Sequence, residues 1–122
     1  MSEIVLHGDV WVATVPILDI DPDYPVRVEI EGEPIALCRV GDEAFALNDI
    51  CSHAYAHLSD GFVEEGQLYC PLHQGSFCVR TGKAIAAPCY DPVEAYKVLV
   101  KDRMVYVSKS SVVEQKGRRL KD

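Results

Sequence analysis

Residues 51–77 read CSHAYAHLSDGFVEEGQLYCPLHQGSF and hold two cysteine–histidine pairs. One residue lies between Cys51 and His53, two lie between Cys70 and His73, and sixteen separate the pairs. Thiolate and imidazole together suit zinc, copper or iron, so this clustering reads as a metal site. A structural zinc site usually gathers its cysteines in one knuckle and its histidines in one helical turn. Here each knuckle is mixed. A two-iron centre with ligands divided two and two fits that arrangement, because each loop then gives one ligand to each metal. A zinc-binding interaction module, a function of a different class, stays open at this point.

Outward from the segment, the chain is punctuated as an all-β protein. VWVATV (10–15), VRVEI (26–30), PIALCRV (34–40), EAFALN (43–48), QLYC (67–70), SFCVR (76–80), AYKVLV (95–100) and MVYVS (104–108) are short and rich in Val, Ile, Tyr and Phe. Several alternate apolar with polar residues, as half-buried strands do. Turn signals fall between them at Glu31-Gly32, Gly41-Asp42, Glu65-Gly66, Thr81-Gly82 and Asp102-Arg103. This spacing predicts antiparallel sheets in a sandwich or small barrel. Residues 18–25, LDIDPDYP, read as a loop or short turn. The Cys/His segment reads as two loops, 51–61 and 70–75, around the QLYC strand, with the sheets as scaffold and the loops as site.

A length of 122 residues predicts one domain. No run of eighteen apolar residues suggests a membrane span, and MSEIVLHGDV does not read as a secretory signal. The expectation is a cytoplasmic protein. In a reducing cytoplasm the five cysteines are thiols or metal ligands rather than disulfides. Cys38, Cys78 and Cys89 have no histidine close behind them and read as small apolar residues. Residues 1–113 carry 8 Lys and Arg against 17 Asp and Glu, a balance of −9, while EQKGRRLKD (114–122) carries 4 against 2, a balance of +2. An acidic body is a poor nucleic-acid binder and a suitable docking surface for a basic protein partner. The tail, without apolar periodicity, is expected to be loosely ordered.

C-S-H at 51–53, sixteen residues, then C-P-L-H at 70–73 resembles the Rieske motif. ALNDICSH before the site, LSDGFVEEGQLYCPLHQGSF through it and RTGKAIAAP after it are similar to the small ferredoxin component of bacterial aromatic-ring-hydroxylating dioxygenases. The resemblance runs from about Val10 to Ser108. It implies one Rieske-type [2Fe–2S] cluster in a segment at about 49–90. Cys51 and Cys70 would bind the buried iron through sulfur, and His53 and His73 the outer iron through Nδ1. Two neutral imidazoles in place of two thiolates bring the oxidised cluster from −2 to zero, which eases reduction. Such centres lie at roughly −150 to +300 mV, against about −400 mV for four-cysteine plant-type clusters.

The family places a proline-bearing loop over the cluster, which makes Pro88 in AAPCYDP (86–92) a candidate cover residue. High-potential relatives carry an extra disulfide-forming cysteine in each loop, and serine and tyrosine hydroxyls directed at the sulfurs. The matching positions here are Ala56, Leu72, Gly75 and Phe77. The missing donors imply a potential near the low end of the range. His57 and His7 read as solvated loop and surface histidines.

The resemblance therefore implies a one-electron carrier between a flavoprotein reductase and a terminal oxygenase, a component of an enzyme system and not an enzyme alone. No Gly-rich dinucleotide fingerprint follows a strand, and no second His/His/carboxylate set suggests a mononuclear iron site. The rivals are the Rieske-like small subunit of an assimilatory nitrite reductase, the zinc-binding module, and a redox or iron sensor.

Overall fold

The computed structural model describes residues 3–6, 8–52, 56–72, 75–87 and 89–112, with side chains through Ser108. His7, His53, His73, Pro88 and the basic tail at 114–122 lie outside these residues.

The described chain is all-β. Its strands are β1 (Glu3–Leu6), β2 (Asp9–Pro16), β3 (Val26–Ile30), β4 (Glu33–Val40), β5 (Glu43–Asn48), β6 (Phe62–Glu64), β7 (Gln67–Tyr69), β8 (Ser76–Cys78), β9 (Ala84–Ala86), β10 (Ala95–Lys101) and β11 (Met104–Val112). Seven form one antiparallel sheet in the order β1-β2-β11-β10-β5-β4-β3, which curls into a half-barrel. The other four form a smaller antiparallel sheet in the order β6-β7-β8-β9. Among the described residues no helix is long and apolar enough to cross a membrane.

Tight turns set the registers. Among the connections whose residues are all described, four hairpins close through two residues each, at 31–32, 41–42, 65–66 and 102–103. In three of them both residues take positive φ: 53° and 83° at Glu31-Gly32, 53° and 76° at Glu65-Gly66, 52° and 68° at Asp102-Arg103. That is the type I′ pattern, whose twist matches the flanking strands. Arg103 adopts it without being glycine, and its carbonyl accepts the Ile17 N–H at 2.7 Å, which fixes the strained turn against the start of a 3-10 turn at Ile17–Asp19.

Strand β4 explains how two cores fit around one sheet. Ile35, Ala36, Leu37 and Cys38 are all fully buried. Alternate residues of a strand face opposite sides. Ile35 and Leu37 pack with Ile20, Ile30, Val105 and Val107. Ala36 and Cys38 pack on the other side with Leu47, Leu58, Leu68 and Phe77, where the small sheet closes down. Each large side chain buried this way stabilises the fold by about 2 kcal/mol relative to exposure. Cys38 thus behaves as a small apolar residue, and burial, with the nearby Asp49 charge adding to it, pushes its thiol up to about 12.

Three strands go beyond the sequence expectation: β1, β6 and β9. SFCVR ends as a strand at Cys78, where the chain turns and the Gly82 N–H donates back to the Cys78 carbonyl at 2.8 Å. QLYC ends at Tyr69, so Cys70 belongs to the loop.

Candidate metal centre

Strand β5 delivers the first loop. Beyond it the chain forms a short antiparallel stem: the Leu58 N–H donates to the Asp49 carbonyl at 2.7 Å, Ile50 bridges His57, and the Cys51 N–H donates to the Ala56 carbonyl at 3.0 Å. A 3-10 turn over Leu58–Asp60 then leads into β6. The exit needs Gly61. A Cβ there would stand 1.8 Å from the Tyr69 carbonyl oxygen, so only glycine lets this turn lie against β7.

The second loop repeats the device. Tyr69 and Ser76 pair across β7 and β8, and the Cys70 N–H donates to the Gly75 carbonyl at 2.8 Å. Each loop is therefore closed by the cysteine's own N–H bonding the carbonyl five residues on. The two spacings that separate cysteine from histidine in the sequence sit inside one common closure. Cys51 is 4% exposed and Cys70 2%, and both belong to the same buried cluster. His53 and His73 lie outside the described residues.

A third segment, after β9, packs against both loops. The Ser52 hydroxyl donates to the Asp91 carbonyl at 2.6 Å. Cys89 is buried, and its Sγ lies 3.9 Å from the Cys51 Sγ. Burial first, then the neighbouring Cys51, pushes the Cys89 thiol well above the ordinary range. Cys89 packs in the buried apolar cluster, as the sequence reading has it, and adds a contact with Cys51 which that reading lacked. No local signal marked it, because the contact joins positions far apart in the chain. Ala56 packs against the same buried cluster, Leu72 is exposed, and Phe77 is fully buried.

Behind the first loop sits a buried carboxylate. Asp49 is fully buried; its Oδ1 accepts the Ser59 N–H at 2.6 Å, and its Oδ2 accepts the Ser59 hydroxyl at 2.9 Å. His57 Nδ1 lies 2.8 Å and Arg27 Nε 3.1 Å from that same Oδ2. A buried carboxylate needs such saturation. His57 is therefore anchored to the stem rather than a solvated loop residue.

The donor set suits an iron–sulfur group. Two soft sulfur donors are withdrawn from water at matched places in two loops, with a third thiol beside them.

Comparison with known proteins agrees with this geometry. A family model described as the Rieske [2Fe–2S] domain matches residues 10–97. The anthranilate 1,2-dioxygenase ferredoxin subunit of Burkholderia cepacia is 45% identical over 86 residues, 70% of this chain and 80% of that protein. The ferredoxin component of the naphthalene 1,2-dioxygenase system of Pseudomonas putida is 37% identical over 100 residues, 82% of this chain and 96% of that protein. The fold superposes on a chain in the solved complex of reduced oxygenase and oxidised ferredoxin in carbazole 1,9a-dioxygenase with a TM-score of 0.79 and 36% identity, covering 85% of this chain and 97% of that one. Strand pattern, buried thiols and relatives lead to one conclusion: the chain belongs to the Rieske [2Fe–2S] domain family, and its cofactor is a Rieske-type cluster.

Proposed function

We propose that this chain is a Rieske ferredoxin that carries single electrons from a flavoprotein reductase to a terminal ring-hydroxylating oxygenase. Cys51 and Cys70 would hold one iron of the cluster through sulfur, and His53 and His73 would hold the other. The observation that carries the reading is the pair of buried cysteines at equivalent points of two identically closed loops. The relatives support the oxygenase as electron acceptor, since they are named as ferredoxin components and one solved relative is in complex with an oxygenase.

The cluster, when bound, supplies one reversible one-electron couple. The protein's part is placement. The stems fix both cysteines, the Asp49 network holds the first loop from behind, and the Ser52–Asp91 bond ties the third segment to it. Leu72 in the second loop and Tyr90 in the third segment are 57% and 74% exposed, apolar side chains available to a docking partner. Electron-transfer encounters are small, under roughly 1,200 Å². The net charge of −7 favours a basic partner. Cys38, Cys78 and Cys89 are thiols rather than disulfides, which supports a reducing compartment, the cytoplasm.

The test is an anaerobic preparation read by visible absorption and by EPR after dithionite reduction. A red-brown protein with a reduced signal of low average g is expected. A colourless, EPR-silent protein with stoichiometric zinc would replace the carrier by a zinc-binding module.

A further inference from the structure

Cys89 is not one of the four proposed ligands, yet its sulfur lies 3.9 Å from that of Cys51, within reach of a sulfur hydrogen bond. Its surroundings hold it there. The Cys89 N–H donates to the Ala86 carbonyl at 3.2 Å, and Ser52 straps Asp91 to the first loop. The base of the second loop closes the other side: a Cβ at Gly75 would stand 2.4 Å from the Cys89 Sγ and 3.1 Å from the Ala86 oxygen. The thiol is wedged between the two loops, with room beside it only because residue 75 is glycine.

We propose that Cys89 is a positioning residue of the redox centre, whose S–H donates to the Cys51 sulfur and raises the reduction potential. The direction of the bond follows from chemistry. A metal-bound thiolate carries no proton, so only Cys89 has a hydrogen to give. A bond donated to a ligand sulfur stabilises the extra negative charge of the reduced state. The inference rests on the reading that Cys51 binds the iron.

The experiment is a redox titration of holoprotein, followed by EPR, in wild type, Cys89→Ala and Cys89→Ser. Alanine removes the donor, and serine restores one in nearly the same small volume. The potential is expected to fall in Cys89→Ala and to return upward in Cys89→Ser, with both variants keeping the Rieske signal. Equal shifts in the two variants, or no shift in either, would make Cys89 mere packing and overturn the proposal. A wild type without a Rieske signal would instead overturn the ligand reading, so the two failures are distinguishable.

Should both variants lose the cluster, a Cys38→Ala, Cys78→Ser background leaves Cys89 as the only non-ligand thiol. Its S–H infrared band is expected to move to lower frequency when the cluster is reduced. A band indifferent to reduction refutes the bond.

Discussion

Arg27 on β3 and Asp49 behind the first loop meet at 3.1 Å, one side chain 44% exposed and the other fully buried. The guanidinium also donates to Ser59 Oγ at 2.9 Å and to Asp60 at 3.2 Å, so a single surface arginine ties β3 to both the stem and the 3-10 turn. Asp49→Ala removes the shared acceptor and leaves the Ser59 N–H without it. We expect a loss of about 3 kcal/mol in urea unfolding, typical of stranding partners of a buried carboxylate. Cluster content per chain falls in the same variant, because Cys51 lies two residues further on. An Asp49→Ala protein of wild-type stability would remove the network from the account of the site.

The glycines separate into two kinds. Alanine at Gly61 places a Cβ 1.8 Å from a backbone oxygen, whereas alanine at Gly32 meets nothing within 4 Å and only keeps a φ of +83°. Gly32→Ala is expected to cost about 1 kcal/mol through backbone strain alone. Gly61→Ala forces backbone apart and is expected to cost more than about 3 kcal/mol, beyond the usual overpacking range. Chemical denaturation of the two variants measures the ordering, and equal losses would contradict the packing described at the loop exit.

The reduction potential is expected near the low end of the roughly −150 to +300 mV Rieske range. Gly75 has no side chain and Phe77 carries no hydroxyl, which leaves the proposed Cys89 S–H, a weaker donor than a hydroxyl, in their place. Ser76 between them is buried and donates to Gln67 Oε1 at 2.7 Å, so its proton is committed away from any sulfur. Equilibrium titration with mediator dyes reads the value, and a result near the upper limit rules this out.

The three non-ligand thiols differ in reactivity. Burial alone would raise Cys78, but hydrogen bonds from the Thr81 side chain and the Arg80 and Thr81 backbone, with the Arg80 charge, bring it below the ordinary thiol value. Iodoacetamide on the holoprotein is expected to label Cys78 first, with mass spectrometry of peptides as readout. Cys38 is raised from 9.0 to about 12 and resists labelling. Its folded value lies above its unfolded one, so the stability it contributes is full below the unfolded value and is lost as pH climbs toward the folded one. Urea midpoints should drop between about pH 9 and about pH 12, and drop less in Cys38→Ala.

Partner encounter should depend on salt. With a net charge of −7, reduction of this protein by the proposed flavoprotein reductase is expected to slow as ionic strength rises from about 0.01 to about 0.5 M, since the screening length falls below 10 Å. Stopped-flow rates that ignore salt would leave the acidic surface without a steering role.

The hairpins were legible because their turn residues are local: Glu31-Gly32 and Glu65-Gly66 announce left-handed backbone in the sequence itself. Strands β6 and β9 were not, since FVE and AIA are too short to display a period of two. The four ligand candidates stood out by residue type and spacing. Their support did not. Asp49 looks like any loop acid until Arg27, His57 and Ser59 converge on it, and Cys89 looks like spare apolar filling until the third segment folds over Cys51.

Strand β4 is a party wall. Ile35 and Leu37 furnish one room, Ala36 and Cys38 the other, and over these four residues the strand has no face left over for solvent. Slipping it by a single residue would send the two large side chains into the space shaped for the small ones and reverse every tenant. Neither room can be redecorated alone: a substitution chosen to alter the surroundings of the sulfurs is felt through the wall by the half-barrel. The end of the molecule that handles electrons and the end that merely carries it share one tenancy.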